Sequence, residues 1–189
     1  MISNKKDYKE YLQSDLRSAK IQKWKWQYRY KHEILKFQRL LRKIEYYQNC
    51  KNGLFSKIYL LFLKYRYKKI SLKMGFTIPK NVFGPGLSIP HYGTIIVNPR
   101  AKVGKNCRIH ASTNIGEING EAPIIGNNVY IGPGAKLYGA ITIGNNVAIG
   151  ANAVVNKSIP DNVTVGGVPA KIISEKSSKA MIVEGHKLS

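Results

Sequence analysis

The sequence is poor in cysteine, in histidine and in acid. Its two cysteines, Cys50 and Cys107, stand far apart and without metal-site spacing. A disulfide framework is therefore not expected, and reduced thiols in a cytosolic protein are the simplest reading. The histidines are four, His32, His91, His110 and His186. No uncharged apolar run reaches the ~18 residues of a membrane span, and the charged first residues are not followed by the apolar segment of a secretory leader. Acidic residues number 10 against 31 Lys and Arg, for a net charge of +21. The imbalance is uneven: residues 1–74 hold 20 basic and 5 acidic side chains, residues 75–189 hold 11 and 5. A basic segment beside a more ordinary one points to an anionic surface as partner.

What the sequence does hold is a period of six. Ile125, Ile131, Leu137, Ile143, Ile149 and Val155 recur at that interval, with Gly126, Gly132, Gly144 and Gly150 directly after four of them. Four positions beyond each branched residue stands another apolar or small one: Val129, Ala135, Ile141, Val147 and Ala153. A helix repeats every 3.6 residues and a strand every two. A six-residue period reads instead as a β-solenoid, one short strand and a turn per unit. Asn106, Asn127–Asn128 and Asn145–Asn146 suit turns where φ can be positive. Each coil buries its apolar side only against its neighbours, so several must stack.

Ahead of the coils, residues 1–74 read as a basic α-helical segment. Tyr8, Tyr11, Leu12 and Leu16 have near-helical spacing, and residues 21–49 run on without Gly or Pro. Asn49–Gly53 is a break, and a second helix is expected over Leu54–Met74, with Phe55, Ile58, Tyr59, Phe62 and Tyr65 on one side and Gly75 closing it. Trp24, Trp26, Tyr28 and Tyr30 alternate with basic and amide residues. Three readings stand: packing against the coils or a partner subunit, contact with an anionic membrane surface, and, least favoured, nucleic-acid stacking, for which no motif is present.

The coils are expected over 75–173, with a mixed tail at 174–189 that packs on the last coil or frays. The period breaks twice. Ile89 to Val97 is eight residues and Ile115 to Ile125 is ten, so extra residues leave the prism around His91–Ile96 and around Gly116–Ile124. Insertions in a solenoid are where function collects. The first holds His91, a candidate general base because a neutral imidazole accepts a proton near neutral pH; a structural histidine is the competing reading. The second holds Glu117 and Glu121. His110 directly follows Ile109 and reads as exposed or structural. Two histidines within the coils are too few for a three-histidine zinc site shared between subunits, so no metal is expected.

The stretch Phe83–Val97, together with Ile131–Gly144, Ile149–Val155 and Val165–Ile172, resembles the serine O-acetyltransferase family of hexapeptide acyltransferases. The resemblance implies a left-handed parallel β-helix, a homotrimer, and acetyl-CoA as donor in a groove between adjacent β-helices. It implies His91 as the base that deprotonates the acceptor hydroxyl. It also implies Gly132, Gly150 and Ala151 as small positions along the donor groove, and Lys171 near the nucleotide end of coenzyme A. Tyr92, Glu117 and Glu121 are weaker candidates for acceptor binding. Phe76, Pro90 and Glu121–Ala122 stand where the family has a carboxylate, an acidic residue and an Arg-His pair. With that pair gone, a serine carboxylate would meet Glu121. The chain is therefore expected to resemble the capsule and exopolysaccharide relatives: a cytoplasmic polysaccharide O-acetyltransferase acting on a sugar hydroxyl. A lipid-linked carbohydrate acceptor would place it at the inner face of the membrane. The alternatives are a serine O-acetyltransferase, and a non-catalytic trimer that binds membrane or an assembly partner.

Overall fold

The computed structural model describes residues 1–186. Three faces wind into a left-handed parallel β-helix: one of five parallel strands, one of four parallel strands extended by an antiparallel fifth, and one of three. The branched residue of each hexapeptide points inward, and so does the residue four positions later. Ile131, Ile149, Val129 and Val147 are all fully buried. Stacked in columns, such side chains contribute ~1.5–3 kcal/mol each relative to exposure. Parallel registers carry the period: Val97 lies on Ile115, Leu137 on Val155, and Ile125 on Ile143.

Asparagine builds the corner between the second and third faces. Asn106, Asn128, Asn146 and Asn162 sit at φ 57°, 56°, 57° and 63°. Their amides form a ladder, each Nδ2 donating to the Oδ1 of the next coil at 2.9 Å. Asn127 and Asn145 do different work: their Oδ1 atoms accept the backbone N–H of Lys105 and Asn127 on the preceding coils. Through His186, the tail packs beyond the last coil. It runs back over this ladder, with Ser178 N–H donating to the Asn146 carbonyl at 3.0 Å and His186 N–H to Asn106 Oδ1 at 2.8 Å. His186 Nδ1 then reaches Glu10 at 3.0 Å.

The N-terminal segment has four helices: α1 (Lys5–Ser18), α2 (Tyr28–Lys31), α3 (Glu33–Cys50) and α4 (Leu54–Met74). Asn4 caps α1 by accepting the Asp7 N–H, and Gly75 ends α4 at φ 75°. The helix read over 21–49 is interrupted: residues 21–27 are non-helical, and α2 has a single turn with no buried residue. Phe37 joins helices to coils, stacked on Tyr67 and edge-on to Phe76, each at 5.1 Å between centroids.

A charged triad closes the same joint. Arg42, 0% exposed, donates to Asp15 at 2.8 Å and to Glu45 at 3.1 Å. Its remaining donors reach the carbonyls of Phe83 and Gly84 in the first coil. Asp15 accepts the N–H of Gly86 and Leu87, and Glu45 that of Asn81. Burial works against the Arg42 charge, but Asp15 and Glu45 outweigh it and hold the guanidinium protonated. Cys107 is fully buried, which pushes its thiol up to about 12 and leaves it inert.

Candidate active site

The two insertions leave different corners of the prism. His91 lies between the strand position of Ser88–Ile89 and the strand Ile95–Val97. Glu117 and Glu121 lie between Thr113–Gly116 and Ile124–Ile125, one corner further round. There the chain doubles back as a small hairpin, Ile118 pairing with Glu121 across Asn119 and Gly120 at φ 53° and 85°. Positive φ at both central residues is the two-residue turn that matches strand twist. Glu117 pairs with Arg100, so its charge is met within the chain. Within one chain, neither glutamate contacts His91.

What does stand beside His91 is His110. The two-residue insertion makes coils one and two differ by 20 residues, as in the pairing of Ser88 with Arg108. His110 therefore sits at the corner that follows Pro90 in the coil below, and the two imidazoles come within 5.9 Å, centroid to centroid. Arg108 Nε donates to His110 Nε2 at 3.3 Å, and Tyr130 lies 5.1 Å from the His110 ring. Burial, then the positive charge of Arg108, then His91 lower the His110 pKa below its ordinary 6.5. His110 is thus neutral near pH 7. With Nε2 accepting from Arg108, Nδ1 carries its proton. The sequence reading gave His110 as exposed or structural and did not place it beside His91. The signal was available, because the insertion length sets which residues become neighbours.

The same corner continues upward through the backbone ladder: His110 N–H bonds to Ile131 O, Gly132 N–H to Ile149 O, and Gly150 N–H to Val165 O. His110, Gly132 and Gly150 are successive steps of one column, with exposed Ala151 beside it. Gly132 has a structural cause of its own: a Cβ there would lie 2.8 Å from Ile149 O and 2.9 Å from Ala151 N. Gly150 is freer, its nearest contact being Val165 O at 3.2 Å. Lys171 is exposed on the hairpin formed by Thr164–Gly167 and Ala170–Ser174 beyond the last coil. Exposed Tyr92 lines a cavity of about 430 Å³ with Pro90, Arg108, Lys20, Lys31 and His32, between the coil and the ends of α1 and α2. Phe76, standing where the family has a carboxylate, is buried against Phe37 and is part of the core. Among the described residues, no cluster of three metal-ligating side chains occurs.

Residues 122–157 match the bacterial transferase hexapeptide family (six repeats). The chain is 35% identical over 121 residues to the serine acetyltransferase of Buchnera aphidicola from Acyrthosiphon pisum, covering 61% of this chain and 44% of that one. It is 37% identical over 101 residues to that of Mycobacterium tuberculosis, covering 51% and 44%. The chain thus spans less than half the length of these two relatives. Among solved structures, a serine acetyltransferase from Brucella abortus in complex with coenzyme A superposes with a TM-score of 0.66 at 26% identity, over 92% of this chain and 70% of that one. These likenesses overturn the expectation of a capsule or exopolysaccharide relative acting on a lipid-linked or other carbohydrate acceptor, since the matching proteins are serine acetyltransferases. The physical argument for a sugar acceptor also weakens. Arg108 puts a cation beside the imidazoles that no carboxylate of the same chain neutralises among the described residues, and an amino-acid carboxylate could meet it. The coils form a left-handed parallel β-helix of which residues 122–157 match the bacterial transferase hexapeptide model, and they are similar in sequence and in fold to serine acetyltransferases.

Proposed function

We propose that this chain is an acetyltransferase that moves an acetyl group from acetyl-CoA to the hydroxyl of serine. The observation that carries the reading is the pair His91–His110, on adjacent coils at the foot of a column that continues through Gly132 and Gly150. The 35–37% identity to serine acetyltransferases supports the choice of acceptor.

In this scheme His91 accepts the hydroxyl proton as the serine oxygen attacks the thioester carbonyl. The tetrahedral intermediate collapses with cleavage of the C–S bond, and the imidazolium returns the proton to the departing thiolate. Proton removal of this kind is worth ~10²–10⁴-fold. His110 Nδ1–H is a preset donor near the developing negative charge, and a donor aimed there stabilises the transition state. Arg108 offers the amino-acid carboxylate a cation. Glu117 and Glu121 reach this corner only from another chain, which fits a homotrimer with the donor bound between neighbouring β-helices. Ala151, Gly150 and Lys171 then lie along the donor path.

The test is thiol release from acetyl-CoA. Serine should stimulate it, and His91→Ala should lower kcat by at least ~10²-fold with the oligomer intact. Release with sugars but not serine, or full activity in His91→Ala, would sink the reading.

A further inference from the structure

Helix α4 carries two apolar faces on opposite sides. One holds Leu63, Tyr67, Ile70 and Met74, which are buried against α3 and the first coil. The other holds Leu54, Phe55, Ile58, Leu61, Phe62 and Tyr65, at 52–87% exposure. At 3.6 residues per turn these six fall on one side. Of the five residues expected from sequence to share a side, Phe55, Ile58, Phe62 and Tyr65 are turned to solvent and Tyr59 is partly buried against the core. Leu63 and its partners took the inner face because they stand opposite it.

The outer stripe is bordered by cations. Lys57, Lys64 and Lys68 run along one margin, and Arg66, Lys69 and Lys73 along the other; α4 contains no Asp or Glu. On the Arg66 side, α4 shares a groove of about 350 Å³ with Trp24, Trp26, Arg29, Arg39 and Lys43. Arg39 stacks 4.3 Å over Trp24. Trp26 and Tyr30, edge to face at 5.3 Å, are each about two-thirds exposed. The aromatic stretch thus packs on itself and on Arg39, with its outer rings in water.

We propose that α4 lies in the surface plane of an anionic lipid bilayer. A second copy of this face would set six cations against six. A nucleic acid would neutralise the lysines but leave six large apolar side chains unused. A bilayer carrying negative headgroups meets both demands. The stripe enters the headgroup–acyl boundary, the flanking cations meet lipid phosphates, and the exposed Trp and Tyr sit at headgroup depth. Among the described residues no helix is long and apolar enough to cross a membrane, so the contact is peripheral. This inference does not rest on the acetyl-transfer reading, and either can fail without the other.

The experiment sediments the full chain with vesicles of phosphatidylcholine alone and of phosphatidylcholine mixed with phosphatidylglycerol. Binding to the mixed vesicles and little to the neutral ones is expected, with a blue shift of tryptophan emission. The double variant Phe55→Ser/Phe62→Ser removes only exposed rings and should keep the circular dichroism of the parent. Its partition coefficient should fall at least ~10-fold. Lys64→Gln/Lys68→Gln should lower partitioning by a similar factor and flatten its salt dependence. No binding by the parent chain, equal binding to both vesicles, or undiminished binding by the serine variant would overturn the proposal. So would a smaller assembly in the serine variant together with no lipid binding by the parent, since copies would then meet at this face. Binding of single-stranded RNA without binding of vesicles would overturn it in favour of nucleic acid.

Discussion

At the scale of single residues, two side chains decide most about this molecule. His110 is held neutral by burial, with Arg108 and His91 adding to the effect. Its folded pKa lies below 6.5, so between the two values the unfolded chain binds the proton and the folded chain does not. Stability therefore falls as pH drops below 6.5, and above that value this histidine adds no pH dependence. Replacing Arg108 by Gln removes one positive neighbour. The His110 titration followed by NMR should then move up toward its ordinary value, and the acid limb of kcat/KM should shift if His110 serves the reaction. An unmoved titration would mean that burial and His91 set it without Arg108. Arg42 governs stability in the same way that His110 governs protonation. Arg42→Met would leave Asp15 and Glu45 buried without a counter-charge, at a cost of ~3–5 kcal/mol, measurable by urea denaturation. Exchanging all three members for apolar residues should not restore the loss. Asp15 and Glu45 also accept the backbone N–H groups of Gly86, Leu87 and Asn81, and those donors would be orphaned.

At the scale of elements, the glycines of the site corner separate architecture from binding. Gly132→Ala drives a Cβ to within 2.8 Å of the Ile149 carbonyl of the coil above, and overpacking of that kind costs ~1–3 kcal/mol. Gly150→Ala meets its nearest atom at 3.2 Å and should cost less. Denaturation midpoints of the two ligand-free variants test this. Equal, unshifted midpoints would mean that the corner is loose and that glycine serves a ligand at both positions. The coils were legible because one period, six, governs both the inward column and its corner residue. The insertions were legible as departures from it. The last coil was not: Ile143 pairs with Ile159, sixteen residues on, because that coil closes two residues short and Val155 is followed by Ile159 after only four. Nor could periodicity choose between the two apolar faces of α4, since both fit a helix and only the neighbouring α3 and Phe76 select one. The triad of Asp15, Arg42 and Glu45 joins α1, α3 and the first coil across sequence separations that no local pattern reports.

At the scale of the whole molecule, the proposed reading has one chain carry only part of a site. His91 and His110 project from one corner, while Glu117 and Glu121 project from the next, so the two groups meet only if a second chain turns its neighbouring corner toward the first. A trimer of β-helices would supply that arrangement at each of its three interfaces and would place the donor in the cleft between chains. Complementation tests the sharing directly. His91→Ala removes the base from one side of an interface. Glu121→Trp, at an exposed position of the next corner, fills the cleft from the facing wall without disturbing the core. Each variant alone should be inactive. Unfolded together and refolded as mixed assemblies, they should regain part of the serine-dependent thiol release, because some interfaces then pair an intact His91 with an intact Glu121 wall. No recovery, with mixed assemblies confirmed by native mass spectrometry, would place both residues on the same chain's contribution. The site would then be built within a single β-helix.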